Sequence, residues 1–286
     1  MTDGVTAELL SKVSDISAKQ WDALNPQGNP FVSHAFLSAL EQSRSVGAGT
    51  GWSPSPVIIR DAEGVPAAAL PAYLKTHSQG EYVFDHHWAD ALHRAGGQYY
   101  PKLQISVPFS PVPGPRLLLC DEAMALPILR AAEAVVDQNG LSSAHATFVE
   151  QAELALFREA GWLTRVGTQF HWQNRDYADF ESFLGALSSR KRKAIRKERA
   201  GAQAAVRIQQ IAGADITPEH WDAFWIFYQD TGARKWGTPY LARAFFDIIG
   251  DSMRDSIVLL LAYDQDGPIA GALNFVGPDC LYGRYW

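Results

Sequence analysis

Cysteine is scarce in this 286-residue chain, which has only Cys120 and Cys280. Two thiols so far apart exclude a disulfide framework and give no zinc-site spacing, so both are expected as buried free thiols. Long apolar runs are also scarce. The longest, about Ile257–Tyr263, falls far short of the ~20 residues that cross a bilayer, and no membrane span is expected. The first ten residues carry Asp3 and Glu8 and lack the charged-then-apolar plan of a secretory leader. With so little cysteine, this leads to the expectation of a cytoplasmic protein. A Gly-x-Ser-x-Gly elbow, an HExxH motif and a P-loop are missing too, which removes three common catalytic signatures. What is present, 47% hydrophobic and 12% aromatic residues, belongs to a folded chain long enough for two domains with cores of their own.

Positive charge is sparse everywhere but in one stretch. The chain has 25 basic and 31 acidic residues, net −6, yet seven of the ten residues Arg190–Arg199 are basic and only Glu198 opposes them. That decapeptide carries +6 and the remainder −12. No Gly or Pro falls between Leu187 and Ala200, so the spacing predicts a helix with Ser189 as N-cap and Phe183, Leu184, Leu187, Ala194 and Ile195 facing inward. Arg192, Arg196 and Arg199 then share one outer face; Arg190, Lys193 and Lys197 share another. Charge runs are commonly solvated helix faces. Such faces alternate sign, however, and like charges at i,i+4 cost roughly 0.2–0.5 kcal/mol each. One acid among seven bases points instead to a phosphate-bearing partner.

Along the chain, a strand and short helix (Val5–Leu24) precede a helix opened by Pro30-Phe31-Val32-Ser33-His34-Ala35-Phe36-Leu37 and running to Gln42. Strand Val57–Arg60, turn Asp61–Gly64 and strand Val65–Leu74 follow. The second half repeats the plan: Pro239-Tyr240-Leu241-Ala242-Arg243-Ala244-Phe245-Phe246, strand Ile257–Tyr263, turn Asp264–Gly267 and strand Pro268–Val276. Helix starts and Asp-x-x-Gly turns fall in register, which indicates an internal duplication. Between the copies lie an extended run Lys102–Pro108, strand Arg116–Cys120, helix Glu122–Asn139, strand Ala144–Val149, a helix near Glu150–Ala160 and a strand near Gln169–Asn174. The second copy ends at Trp286 within a predicted strand, Cys280–Trp286. It is therefore expected to be cut short, with Leu281, Tyr285 and Trp286 in need of a cover.

Several stretches carry a family resemblance. Tyr82-Val83-Phe84-Asp85, Trp88-Ala89-Asp90-Ala91, Tyr99-Tyr100-Pro101-Lys102-Leu103, Pro108–Arg116, Phe170-His171-Trp172, Ser189–Lys193, Arg234-Lys235-Trp236-Gly237 and Leu281–Trp286 resemble a bacterial family of peptidoglycan biosynthesis/recognition proteins. That family looks like the Fem-type aminoacyl transferases of the GNAT (acyl-CoA N-acyltransferase) superfamily. The resemblance runs from Asn29 to Trp286. It implies an α/β (α+β) fold of tandem GNAT-like domains with mixed, mostly antiparallel sheets, the second truncated. Residues 1–170 would be the first domain, and 171–286 the basic linking helix plus the start of the second.

The implied activity is transfer of an acyl or aminoacyl group to an amine, with acyl-CoA or aminoacyl-tRNA as donor. The implied partners are a phosphorylated or nucleotide-linked substrate and tRNA. An acetyl-CoA-dependent small-molecule N-acetyltransferase and a non-catalytic polyanion-binding module are the alternatives. In the first domain the donor cradle would fall at Pro113-Gly114-Pro115-Arg116, where the prolines remove the N–H donors that a pyrophosphate needs. By the resemblance, Lys191, Lys193, Arg196 and Lys197 are candidates for phosphate binding, and Arg190, Arg234, Tyr240 and Arg284 extend the substrate-binding set. Trp236 either stacks on a base or sugar or packs at a domain junction. Tyr99, Tyr100 and Lys102 either line the groove between domains or cover a core. Asp85 and Asp90 are candidate general bases, or else surface or turn carboxylates. His86 and His87 are adjacent and so diverge, and no metal is expected.

Overall fold

The computed structural model describes residues 5–235 and 239–285. The strands are β1 (Thr6–Leu9), β2 (Trp52–Pro54), β3 (Val57–Arg60), β4 (Pro66–Leu70), β5 (Ala72–Lys75), β6 (Lys102–Ile105), β7 (Leu118–Leu119), β8 (Ala144–Ala146), β9 (Arg207–Ala212), β10 (Ile257–Tyr263), β11 (Pro268–Val276) and β12 (Leu281–Tyr285). The helices are α1 (Ala18–Asp22), α2 (His34–Gln42), α3 (His86–Arg94), α4 (Ala125–Gln138), α5 (Leu154–Glu159), α6 (Phe180–Gly185), α7 (Ser189–Gln203), α8 (Pro218–Lys235) and α9 (Arg243–Ser252). The fold is α+β, with mostly antiparallel sheets ordered β1-β3-β4-β7, β2-β5-β6-β8 and β12-β11-β10-β9. β6 and β8 run parallel.

The repeated sequence produces a repeated succession. β1-α1-α2-β3-β4 in the first half parallels β9-α8-α9-β10-β11 in the second, with β1 on β3 and β9 on β10 both antiparallel. Both Asp turns close in the same way. Asp61 Oδ1 accepts from Glu63 N and Val65 N at 3.1 and 2.7 Å, and Asp264 Oδ1 from Asp266 N and Gly267 N at 2.8 and 3.1 Å. A short carboxylate that satisfies its own turn's N–H groups is the reason for Asp there. Ser33 caps α2 by accepting from Phe36 N. The two halves share one core: the Phe36 ring packs on Phe245 and Phe275, each at 5.6 Å, and Phe31 on Phe275 at 5.1 Å. A second core forms where α4 lays Ala125, Ile128, Leu129 and Ala132 against the first half's sheets.

Several elements depart from the sequence-based reading. The strand expected at Val65–Leu74 breaks at Pro71, so β4 and β5 enter different sheets. Gln169–Asn174 is irregular backbone without a ladder partner among the described residues. The helix expected through the basic stretch is two helices. α6 ends at Gly185, and α7 starts after Ser188 rather than Ser189. Leu184 is buried and Phe183, Leu187 and Ile195 are half-buried, but Ala194 faces solvent. Both cysteines are exposed, not buried, because each sits in a surface turn at the edge of a strand. β12 is an edge strand whose Leu281 is exposed, while Tyr285 packs on Tyr228. Trp286 lies outside the described residues.

Candidate functional site

β5 and β6 run antiparallel with Lys75 registered opposite Lys102, and neither lysine has any solvent exposure. Like charges opposed in a sheet repel, and an unpaired buried charge is costlier still. The compensating acids come from the connecting segment Gly80–Asp85. Left-handed backbone at Gly80, Tyr82 and Phe84 (φ 79°, 58° and 54°) alternates there with ordinary backbone. Glu81 and Asp85 therefore turn inward, Phe84 faces out, and Tyr82 turns toward Arg284 and Tyr285. Bulky residues rarely hold such φ values unless their surroundings impose them. Gly80 is needed for a further reason: a Cβ there would stand 2.7 Å from the Phe109 ring.

Lys102 Nζ donates to Glu81 Oε2 and Asp85 Oδ2, both at 2.8 Å. Lys75 Nζ lies 3.9 Å from Glu81 Oε1, donates to the Gln79 carbonyl at 3.2 Å and sits 3.8 Å above the Trp52 ring. Two cations and two carboxylates thus cancel inside the protein. Tyr99 donates to Asp85 Oδ2 at 2.7 Å, and the Tyr100 hydroxyl pairs with Ser78 Oγ at 2.6 Å. Burial would raise the Asp85 carboxyl, but hydrogen bonds from Lys102, Ser78 and Tyr99 outweigh it and hold it well below the usual range. Burial pushes the Glu81 carboxyl up. It pulls the Lys75 ammonium down to about 7 against the attraction of Glu81. Burial, and then the charge of Lys102, lower His145 to about 4.

Phe109 joins this cluster to the second half. It too has a left-handed backbone, φ 58°, and its N–H donates to the Gly80 carbonyl at 3.1 Å. Its ring meets Trp52 at 5.4 Å and stacks on Tyr240 at 4.9 Å, 7° from parallel. Its carbonyl accepts from the Arg284 guanidinium and from the Tyr285 hydroxyl. The Arg284 guanidinium also lies 4.6 Å over the Tyr285 ring, and its Nε is buried without a hydrogen bond among the described residues.

Of the residues singled out in the sequence, the structure therefore gathers Asp85, Tyr99 and Lys102 in one cluster, and Tyr240 and Arg284 at Phe109 beside it. Lys102 does not line an open groove; its own carboxylates cover it. Asp85 is buried and Asp90 is exposed on α3. Arg190, Lys191, Lys193, Arg196 and Lys197 are all exposed on α7, which has no buried residue. Among them Arg196 pairs with Glu181. Arg234 pairs with Asp230 one turn earlier on α8. Trp236 lies outside the described residues. The sequence reading missed Lys75, Glu81, Trp52 and Phe109. A lysine ending the apolar run Ala72–Leu74 and acids four apart at Glu81 and Asp85 were visible signals; Phe109 lies within the resembling stretch Pro108–Arg116, but nothing there singled it out from its neighbours.

At Pro113–Leu117 the backbone donors are already engaged. Gly114 N donates to the Phe148 carbonyl at 3.2 Å, and Arg116 N and Leu117 N donate to the Glu153 carboxylate at 2.8–3.0 Å. Among the described residues, no group of three or more His, Cys, Asp or Glu side chains gathers as metal ligands, and no helix is long and apolar enough to cross a membrane.

The chain belongs to the FemAB-like family, described as peptidoglycan biosynthesis/recognition, whose model matches residues 12–286. A solved structure, L-PGS from Bacillus licheniformis, matches with 10% identity and a TM-score of 0.44, over 90% of this chain and 66% of that one. The chain thus spans about two thirds of that protein's length. No curated protein matches it.

Proposed function

We propose that this chain is a Fem-like aminoacyl transferase of the GNAT type, moving an aminoacyl group from tRNA to the amine of a nucleotide-diphosphate-linked peptidoglycan precursor. Family membership over residues 12–286 supports the class. The observation that carries the site is the meeting of Arg284 and Tyr240 at Phe109, where a half-buried guanidinium with an unpartnered Nε stands beside an aromatic face. Guanidinium groups pair with phosphate in a planar, two-pronged way, and aromatic faces stack on bases. In this reading Arg284 takes the diphosphate, Tyr240 a ring of the substrate, and α7 the tRNA backbone. Residues 1–170 and 171–286 are the two units, and the protein works in the cytoplasm.

In the reaction the acceptor amine attacks the ester carbonyl of the aminoacyl-tRNA, an amide bond forms, and the tRNA hydroxyl leaves as the amine gives up a proton. Asp85 here positions Lys102 and Tyr99, because a carboxyl held so low accepts a proton poorly at neutral pH. Asp90, exposed on α3, is the other candidate carboxylate. Acyl-CoA fits less well, since two prolines and three engaged N–H groups leave no cradle at Pro113–Leu117. Equilibrium binding of the nucleotide-linked precursor tests the assignment. Arg284→Ala and Tyr240→Ala should each weaken it about tenfold or more, and unchanged affinity in both would remove the site.

A further inference from the structure

α6 and the segment before it carry an aromatic cluster that belongs to neither hydrophobic core. Phe183 stands at its centre. The ring of Trp172 meets it at 5.8 Å, Tyr177 at 5.5 Å and Phe180 at 5.9 Å. Rings grouped in this way ordinarily close over buried apolar surface. Here Leu184 is the one buried residue of α6, and Trp172 is 64% exposed. α7 brings arginines to the rings. The Arg199 guanidinium lies 4.6 Å over the Phe180 ring, and Arg196, one turn earlier, pairs with Glu181 of α6. Arg192 is a further turn back on the same face. The face of α7 that meets α6 is thus made of arginine, while Lys191, Lys193 and Lys197 occupy other faces.

We infer that this surface binds unpaired nucleotides, with bases stacked on Trp172 and on the Arg199–Phe180 pair and the adjoining phosphates held by Arg192 and Arg196. The inference rests on the reading of α7 as a nucleic-acid contact and adds which part of the nucleic acid it meets. Charge alone suits any polyanion, and a duplex keeps its base faces within its own stack. Exposed rings beside cations favour a single strand, because only unpaired bases offer them a π face. Arginine serves both ends of the contact. Its planar guanidinium pairs with phosphate and stacks on rings, where a lysine ammonium is a point charge. The rings are held in place by the cap of α6: Asp179 Oδ1 accepts from Ser182 N at 2.7 Å, and Ser182 Oγ from Asp179 N at 3.1 Å. Glu181 is the acid in contact with the arginines, and it offsets the charge of Arg196.

Fluorescence anisotropy with a labelled oligouridylate, single-stranded or annealed to oligoadenylate, tests this. The single strand should bind the wild-type chain more tightly than the duplex. Trp172→Ala should weaken single-strand binding by about fivefold or more, with binding of inorganic polyphosphate and the melting temperature both unchanged. Trp172→Phe should keep the affinity and lose most of the tryptophan quenching that the single strand causes. Glu181→Gln should tighten binding, because it removes a negative charge beside Arg196. Equal binding of single strand and duplex would overturn the stacking inference and leave the α7 phosphate contact standing, as would Trp172→Ala without effect on the single strand. Loss of polyphosphate and oligouridylate binding together in Trp172→Ala would make Trp172 a structural support for α7 and overturn the inference equally. Absence of binding to either form of nucleic acid would remove the α7 contact itself.

Discussion

Lys75 and Lys102 stand opposite each other on neighbouring strands, both without solvent exposure, and share the Glu81 carboxylate between them. The arrangement is stable only while the acids of Gly80–Asp85 stay in place. Removing one partner of a buried ion pair leaves the other uncompensated.

Asp85→Asn should therefore destabilise the fold by roughly 3–5 kcal/mol. Asp90→Asn, on the exposed side of α3, should stay within about 0.5 kcal/mol of wild type. Chemical denaturation monitored by circular dichroism compares the two. Equal effects would show that Asp85 is not part of an obligatory buried network.

The buried cluster also contributes to the pH dependence, with His145 and Glu81 acting in opposite senses. His145 is held neutral in the fold down to about pH 4, whereas an unfolded histidine protonates near pH 6.5. Between those values this histidine binds more protons in the unfolded chain, so its own contribution to stability rises with pH, by up to about 1.4 kcal/mol per pH unit. Glu81, Glu41 and Glu153, all raised by burial, contribute in the opposite sense. Asp85, held below its ordinary value, adds a further loss as the solution is acidified past about pH 4. Relative to wild type, His145→Gln should lower the slope of stability against pH between about pH 4 and 6.5 and leave the more acidic limb unchanged. A parallel curve for the variant would contradict the assignment.

Exposure of the α7 cations leads to a salt prediction. If three or four of Lys191, Lys193, Arg196 and Lys197 contact phosphates, tRNA binding should fall with log salt at a slope of roughly −3. Replacing all four by Ala should flatten that slope markedly. Arg196, already paired with Glu181, should contribute least. A flat wild-type response would exclude an electrostatic tRNA contact on this helix.

Arg284→Lys probes the contact with Phe109 more finely than truncation. Lysine keeps the charge but loses the planar donor pair, so affinity for the nucleotide-linked precursor should drop without change in the melting temperature. An equal drop in melting temperature would make Arg284 a structural tie between the halves rather than a substrate contact.

Much of the fold was legible because local chemistry dictates it. Asp61 and Asp264 each satisfy their own turn, and Pro-aromatic helix starts recur before α2 and α9. The site was only partly legible. Lys102, Tyr99 and Asp85 fell within the stretches that carry the family resemblance, but their meeting depends on strand register and on left-handed backbone at Tyr82 and Phe84. Phe109 matters through its carbonyl and its φ, neither of which a side-chain pattern can reveal. The cysteines and Gln169–Asn174 were misread for a related reason. Exposure and strand pairing depend on which neighbours tertiary structure supplies, and composition does not state that.

The most direct measurement is transfer itself: tRNA charged with a labelled amino acid, incubated with the nucleotide-linked precursor and this chain, with label followed into the precursor. The proposed function predicts labelled amide product, reduced by about tenfold or more in Arg284→Ala. Precursor that binds the protein but never acquires label, while the tRNA is also bound, would contradict it.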